Sequence, residues 1–108
     1  MLEGLEIWEK MFRKLPIEEV IKEIENELFT DMVEISLINA EGGEIDHLEL
    51  TYKYGLIISN LEIREEYEHC ADIKRGYIAL LTVEAPYGRK YIQKLLNTTL
   101  QLIKEEEV

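Results

Sequence analysis

The chain has little of what marks a disulfide-braced or metal-binding protein. Among its 108 residues are one cysteine, Cys70, and two histidines, His47 and His69. A single cysteine cannot form a disulfide within the chain, which favours a reducing compartment and predicts a cytoplasmic protein. A zinc site needs three or four ligands, and no paired-cysteine or paired-histidine spacing supplies them. We therefore expect no metal and no other cofactor.

Long apolar runs and positive charge are also scarce. No apolar run reaches the roughly 18 residues that a membrane-spanning helix needs, and the first ten residues, MLEGLEIWEK, lack the features of a signal peptide. Acidic residues outnumber basic ones by 23 to 12, which gives a net charge of −11. Nucleic acid and anionic membranes carry the same sign of charge, so neither is expected as a direct partner.

The chain is instead rich in glutamate, lysine and isoleucine. Asparagine and glutamine are rare, and only Asp31, Asp46 and Asp72 are aspartates. This bias is typical of hyperthermophile proteins and predicts a thermophilic, archaeal source. A chain of this length is expected to form a single α+β domain, residues 1–108, with one core.

Three segments repeat their apolar residues at the spacing of a helix. Residues 2–15 carry them at positions 5, 8, 12 and 15, and Pro16 ends that pattern. Residues 17–29 predict a second helix, which Pro16 can start. The last helix is predicted to begin at Pro86 and to run to about Lys104.

Between these helices the apolar residues alternate, which is the period of a strand. The glycine pair of EGG, residues 41–43, is predicted to join the first two strands as a hairpin. The predicted fold class is therefore α+β, a two-layer sandwich with N-terminal helices, a three- to four-stranded antiparallel sheet and a C-terminal helix. The predicted strands are MVEISLINA (32–40), EIDHLELTYKY (44–54), GLIISNLEI (55–63) and YIALLTVE (77–84).

The fourth predicted strand is apolar on both faces, although a simple meander places it at an edge of the sheet. An exposed apolar edge aggregates unless something covers it. A central position in the strand order, an N-terminal helix or a second copy of the chain could each cover it. Small soluble proteins often form two-fold oligomers, so we expect a homodimer. The candidate dimer strand is Tyr77, Ile78, Ala79, Leu80 and Leu81.

The segment EEYEHCADIKRG, residues 65–76, concentrates the rare side chains. His69 and Cys70 are neighbours, and in a strand they point to opposite faces, so they cannot hold one ion together. The acidic side chains around Cys70 raise the pKa of a thiol and make it a poor nucleophile. We interpret the segment as a charged corner between two strands, and we predict no catalytic residue in it.

Basic residues cluster in two short windows and form the candidate partner-binding site. One window lies in the 65–76 corner, and the other lies in the first turns of the last helix, where the helix dipole disfavours cations. If the windows are close in space, they form a basic spot that suits an acidic partner segment. The alternative is that they pair with nearby glutamates of the same chain. The candidate residues are Lys74, Arg75, Arg89, Lys90 and Lys94.

The end of the chain, RGYIALLTVEAPYGRKYIQKLLNTTLQLIKE, is predicted as a strand, a short turn and an amphipathic helix. This pattern resembles the close of roadblock-type and profilin-like regulatory domains, over about a third of the chain. The resemblance implies a sheet packed on helices, dimerisation and an adaptor role. The long middle helix of such domains has no counterpart here, because residues 64–73 are too few.

The predicted function is that of a non-enzymatic adaptor, assembly subunit or regulator, which acts as a homodimer and binds another protein. The charge leaves a second class open: an acidic inhibitor, including a virus-encoded one, that mimics nucleic acid with acids along one face. A third class is a metal-dependent hydrolase or nuclease that uses Asp46, His47 and Glu49, with Lys53 nearby, in one cleft.

Overall fold

The secondary structure of the described residues is entirely helical, which overturns the predicted α+β fold. The structure, a computed structural model, describes residues 2–84 and 88–106. Over these ranges it contains no strand, so the predicted sheet and its hairpin are wrong and the protein is a helical bundle. Its helices are α1 (Leu2–Lys14), α2 (Ile17–Ala40), α3 (His47–Ile63), α4 (Tyr67–Glu84) and α5 (Arg89–Glu106).

The three predicted helices are present, but one of them is much longer than expected. α1 ends just before Pro16, and Pro16 is the N-cap residue of α2, as the sequence predicts. α2 then continues past position 29 to Ala40 and includes the whole first predicted strand. α5 covers most of the predicted C-terminal helix, whereas its predicted start at Pro86 lies outside the described residues.

The predicted strands are wrong because α2 and α3 carry apolar residues on opposite faces. Residues two apart in a helix point about 200° apart, so an alternating apolar pattern also fits a helix with two apolar faces. In α2, Ile35 is buried, whereas Val33 and Leu37 are 41% and 58% exposed. In α3, Tyr54 is fully buried, whereas Tyr52 is 38% exposed.

The fourth predicted strand is the second half of α4, which is a central helix. α4 packs against α2, α3 and α5, and this explains why its sequence is apolar on nearly every side. The apolar sheet edge that motivated a dimer strand therefore does not exist. Of the five candidate dimer residues, Ala79 is exposed and the others are buried: Tyr77, Ile78, Leu80 and Leu81. The resemblance to roadblock-type domains fails for the same reason, since its strand is this helix.

Two pairs of contacts show that α3 and α5 run in the same direction. The rings of His47 and Tyr91 lie 6.3 Å apart at the first turns of the two helices. Glu62 and Lys104 form an ion pair of 3.5 Å near their last turns. α4 runs in the opposite direction, because Cys70 near its start contacts Ile58 late in α3, whereas Tyr77 further along contacts Thr51 early in α3.

Gly55 allows α3 and α5 to approach closely. A Cβ atom at this position would lie 2.9 Å from Cδ1 of Ile103 and 3.2 Å from Cγ2 of Thr99, both on α5. Contacts this short are not tolerated without a shift of the neighbouring side chains. The glycine that the strand pattern presents as a bend is therefore a helix-packing residue.

α2 and α3 end in the same way, with a left-handed residue just past the C-cap. This residue is Gly42, with φ of 76°, after α2 and Glu65, with φ of 61°, after α3. In both cases the next N–H donates to the carbonyl oxygen five residues earlier, at 2.9 Å, which is the hydrogen bond of a Schellman motif. The EGG sequence, predicted as a hairpin turn, is thus the end of a helix.

None of the helices in the described ranges has the length and hydropathy of a segment that crosses a bilayer.

Candidate protein-binding surfaces

The inner side of α2 carries a buried polar cluster that sequence patterns did not reveal. Lys53 of α3 donates to Glu27 and to Asp31 of α2, with both N–O distances at 2.7 Å. The hydroxyl group of Tyr54 donates to the same Oδ2 atom of Asp31, at 2.5 Å. Asp31 is only 4% exposed, so its charge is balanced by Lys53 and stabilised by two hydrogen bonds rather than by water.

The cluster continues from α3 into α4. The rings of Tyr54 and Tyr77 are stacked, with centroids 4.6 Å apart. The hydroxyl oxygens of Tyr77 and Thr51 are 2.6 Å apart, and the Thr51 hydroxyl also lies 2.6 Å from the carbonyl oxygen of His47. A carbonyl can only accept, so Thr51 donates to His47 and Tyr77 donates to Thr51. This chain of hydrogen bonds and stacked rings links three helices.

These side chains join two helices whose backbones stay apart. Within the described residues, no Cα atom of α2 lies within 8 Å of a Cα atom of α3. Lys53 and Tyr54 span the gap, because their side chains are long enough to reach Asp31. α2 is therefore positioned by direct packing on α4 and by polar contacts to α3.

Burial and the neighbouring hydrogen bonds and charges together shift the pKa values of the cluster. Burial, followed by the hydrogen bond to Asp31, raises the pKa of Tyr54 above its usual value near 10. Burial also raises the pKa of Tyr77. Burial alone would lower the pKa of Lys53, but the hydrogen bonds and charges of Asp31 and Glu27 outweigh it and raise the pKa. At neutral pH the phenols are therefore neutral and Lys53 is charged, which suits a structural cluster.

The outer side of α2 is apolar and faces away from the bundle. Phe29, Met32, Val33 and Leu37 are 65%, 39%, 41% and 58% exposed. Their spacing places them on one side of the helix, opposite to Asp31. The small residues Ser36 and Ala40 are exposed on the same side. We define the outer face of α2 as Phe29, Met32, Val33, Ser36, Leu37 and Ala40.

This face is also poor in charge, on a chain that is otherwise highly charged. Charged residues make up 32% of the sequence. Between positions 28 and 40 the charged residues are Asp31, which is buried and paired, and Glu34, which is exposed. The centres of protein–protein interfaces are depleted in charge and enriched in aromatic residues and methionine. The outer face of α2 has this composition.

The structure divides the candidate basic residues between two parts of the bundle. Lys74, in the first half of α4, forms an ion pair of 3.6 Å with Glu62, and Arg75 pairs with Asp72 one turn away. Ten residues of helix, about 15 Å, separate Lys74 from the end of α4. Lys74 and Arg75 therefore pair with carboxylates of the chain itself, as the alternative interpretation of the first window expects.

The second basic window remains open to solvent. Arg89, Lys90 and Lys94 are exposed on the first two turns of α5, and no carboxylate among the described side chains lies within 4.0 Å of them. Tyr91 lies between them in sequence and is 46% exposed. At the same end of the bundle, Leu48 of α3 is 61% exposed. Partner binding by these residues stays a prediction.

The His69–Cys70 pair lies in the first half of α4, not in a corner between strands. Cys70 is 4% exposed, and its Sγ atom donates to the carbonyl oxygen of Ile58 at 3.6 Å. Burial, and then the charge of Glu62, raises the pKa of this thiol. The His69 ring lies 3.9 Å from Glu66, on the partly exposed side of the helix. A buried, protonated thiol is not placed to act as a nucleophile.

The side chains considered for a hydrolase or nuclease have separate roles. Asp46 is the N-cap residue of α3, and its Oδ1 atom accepts the backbone N–H of Glu49 at 3.1 Å. Lys53 points to α2, as described above. In the described part of the chain, no group of three or more histidine, cysteine, aspartate or glutamate side chains is arranged to hold a metal ion.

The α2 face and the polar cluster were both missed in the sequence, although one signal was present. Phe29, Val33 and Leu37 recur every four residues, which fits a second helical face as well as it fits a strand. Nothing in the sequence distinguishes Asp31 from the other acids. No protein family, curated protein or solved structure matches the chain.

Proposed function

We propose that the protein is non-enzymatic and acts by binding other proteins, as a cytoplasmic adaptor, assembly subunit or regulator. The observation that carries this proposal is the outer face of α2, where four apolar side chains are exposed on a stretch with one exposed charge. Contiguous apolar surface on a small protein usually marks an interaction site. Covering it gains about 25 cal/mol for each Å² removed from water.

The polar cluster explains how α2 can offer this face. An ordinary surface helix uses its apolar residues to attach itself to the core. In the middle of α2, Asp31 and Glu27 supply part of that attachment through Lys53 and Tyr54. Phe29 and Val33 are then available on the opposite side. The arrangement presents an apolar surface on a helix that is held in place from behind.

The exposed basic window of α5 supplies a second contact in this proposal. Arg89, Lys90 and Lys94 bring positive charge to a chain with a net charge of −11, and Tyr91 adds an aromatic ring among them. Tyrosine and arginine are enriched where proteins meet. A partner segment that combines acidic and apolar side chains fits this end of the bundle.

Photo-crosslinking tests whether the outer face of α2 binds protein. A benzophenone amino acid replaces Val33 in the native host, and the same amino acid replaces Leu102 on α5 as a matched control. Both positions are exposed aliphatic residues, at 41% and 54%, on different helices. We expect protein adducts of discrete mass at position 33 that are absent at position 102. The absence of any adduct at position 33, or identical adducts at both positions, contradicts the proposal.

The two alternative functions have no comparable observation in their favour. A mimic of nucleic acid needs its acids along one line, whereas Lys22 interrupts the exposed glutamates of α2, and the middle of that helix is apolar. A metal-dependent hydrolase needs Asp46, His47 and Glu49 in one cleft. Asp46 instead caps the helix that contains the other two.

A further inference from the structure

We propose that the outer face of α2 binds the same face of a second copy, antiparallel and across a two-fold axis. The inference rests on the proposed function, because it uses the same surface: a weakly bound second copy covers the face when no partner protein does. A two-fold interface requires a patch that is complementary to itself. An uncharged apolar face meets this condition, whereas most of the surface of a chain with net charge −11 would set like charges against each other.

The distribution of large and small residues sets the register of the pair. Ser36 and Ala40 are small and lie on the same side as the bulky residues, so a second helix can approach closely over them. An antiparallel pair with its axis between positions 34 and 35 places Phe29 and Val33 of one copy against the small residues Ala40 and Ser36 of the other. The numbers of facing positions then sum to 69, so the three contacts, each occurring twice, are Phe29 with Ala40, Met32 with Leu37, and Val33 with Ser36.

The size of the face sets the strength of the dimer. The face extends over residues 29–40, or about 18 Å of helix. Two such faces bury on the order of 1,000 Å² in total, which is at the small end of specific interfaces. Each copy carries a net charge of −11, and this repulsion weakens the dimer further at low salt. We therefore expect dissociation in the micromolar range and tighter association as salt rises.

Sedimentation of the purified full-length chain tests self-association. The expected result is a mass of 12.7 kDa at low micromolar concentration that rises toward twice this value above about 100 μM. A mass that stays at 12.7 kDa over the whole range overturns the inference. The proposed function fails separately, because it is judged by adducts to other proteins at position 33 in the host.

Matched charge substitutions locate the interface. Val33→Glu places a carboxylate against Ser36 of the second copy, in the middle of the apolar interface, and is expected to weaken the dimer at least tenfold. Leu102→Glu adds the same charge at an exposed leucine of α5 and is expected to leave the dissociation constant within about twofold. Circular dichroism of both variants checks that the helices are retained. Equal weakening by the two variants overturns the assignment to α2.

Disulfide trapping tests the antiparallel register. Phe29→Cys and Ala40→Cys chains are mixed and oxidised above the dissociation constant. The register predicts a mixed disulfide between the two variants, because their cysteines face each other. It predicts little disulfide from the Phe29→Cys chain alone, since its two cysteines lie about 16 Å apart along the helices. Efficient trapping of the Phe29→Cys chain alone would instead show a parallel pair and overturn the arrangement.

Discussion

The two sides of α2 reverse the usual polarity of a surface helix over its middle turns. On the inner side, Glu27 and Asp31 bind Lys53 and Tyr54. On the outer side, apolar residues such as Phe29, at 65% exposure, face solvent. A helix at the edge of a bundle normally hides its apolar stripe and exposes its charges. The reversal leaves the apolar side of these turns exposed, and the proposed function rests on that exposure.

Removing the charged partner of Asp31 on the inner side is expected to have the largest effect on the free energy of unfolding. Lys53→Met leaves Asp31, whose side chain is 5% exposed, without its balancing charge. Loss of one partner from a buried ion pair costs about 3–5 kcal/mol. Urea unfolding measures the change, and Lys22→Met, which replaces an exposed lysine of α2, is the control and should lie within about 0.5 kcal/mol of wild type. Equal effects of the two substitutions would show that the cluster does not support the fold.

A pair of alanine substitutions compares the two sides directly. Ile35 is 2% exposed and Leu37 is 58% exposed, two positions apart on the same helix. Ile35→Ala should lower the free energy of unfolding by about 2–4 kcal/mol, because it leaves a cavity in the core. Leu37→Ala should change it by less than about 0.5 kcal/mol at protein concentrations where the chain is monomeric. The ranking fails if Leu37→Ala is as damaging as Ile35→Ala under those conditions.

Alkaline pH should act on the inner side and, in the same direction, on the buried thiol of Cys70, whose pKa is raised in the folded state. The pKa values of Tyr54 and Tyr77 are raised in the folded state above their usual value near 10. Below pH 10 both states keep the phenol protons, and stability does not depend on them. Above pH 10 the unfolded state loses its protons first, so the free energy of unfolding falls as pH rises, by up to about 1.4 kcal/mol per pH unit for each tyrosine. Lys53, whose pKa is also raised, shifts stability in the same direction above its usual value of 10.5.

Unfolding curves between pH 9 and pH 11 measure this slope. Tyr54→Phe has one phenol proton fewer, so its free energy of unfolding should fall less steeply with rising pH, whatever its stability at pH 9. Tyr91→Phe is the control, because Tyr91 is 46% exposed and lies outside the cluster. A Tyr54→Phe chain with the wild-type slope would contradict the assignment.

The smallest effect concerns a helix end and touches neither side of α2. Glu65 has a φ of 61°, in the region that favours glycine, and it ends α3 as Gly42 ends α2. Glu65→Gly removes this strain and should raise the free energy of unfolding by about 0.5–1 kcal/mol. The dissociation constant of the dimer should not change. A change in association would show that the outer face is not the whole interface.

The sequence predicts α1, the start of α2 and most of α5, because proline and a single apolar stripe mark them clearly. It does not predict α3, α4 or the second half of α2. In VEISL, residues 33–37, the alternating residues belong to two opposite helical faces, and a strand with one buried face has the same pattern. Length is the better guide there, since the run from Ile17 to Ala40 contains no glycine or proline.

The same error affected the predicted positions of two of the basic candidate residues. The strand prediction put Lys74 and Arg75 in a corner between two strands, whereas both lie within the continuous helix α4, and Lys74 is about 15 Å from its end. The polar cluster depends on side chains more than twenty positions apart in sequence, such as Asp31 and Tyr54. Such pairs become visible only when the helices have been placed.

Cys70 gives the chain a practical property. Its thiol is 4% exposed and its raised pKa keeps it protonated, while alkylating and oxidising reagents react with thiolates. A cysteine introduced at an exposed position such as Ser36 is therefore expected to react far faster than the native one. Spin labels and fluorophores can then be attached to the outer face of α2 without replacing Cys70. The native thiol becomes reactive on unfolding, so its reactivity reports whether the labelled chain is still folded.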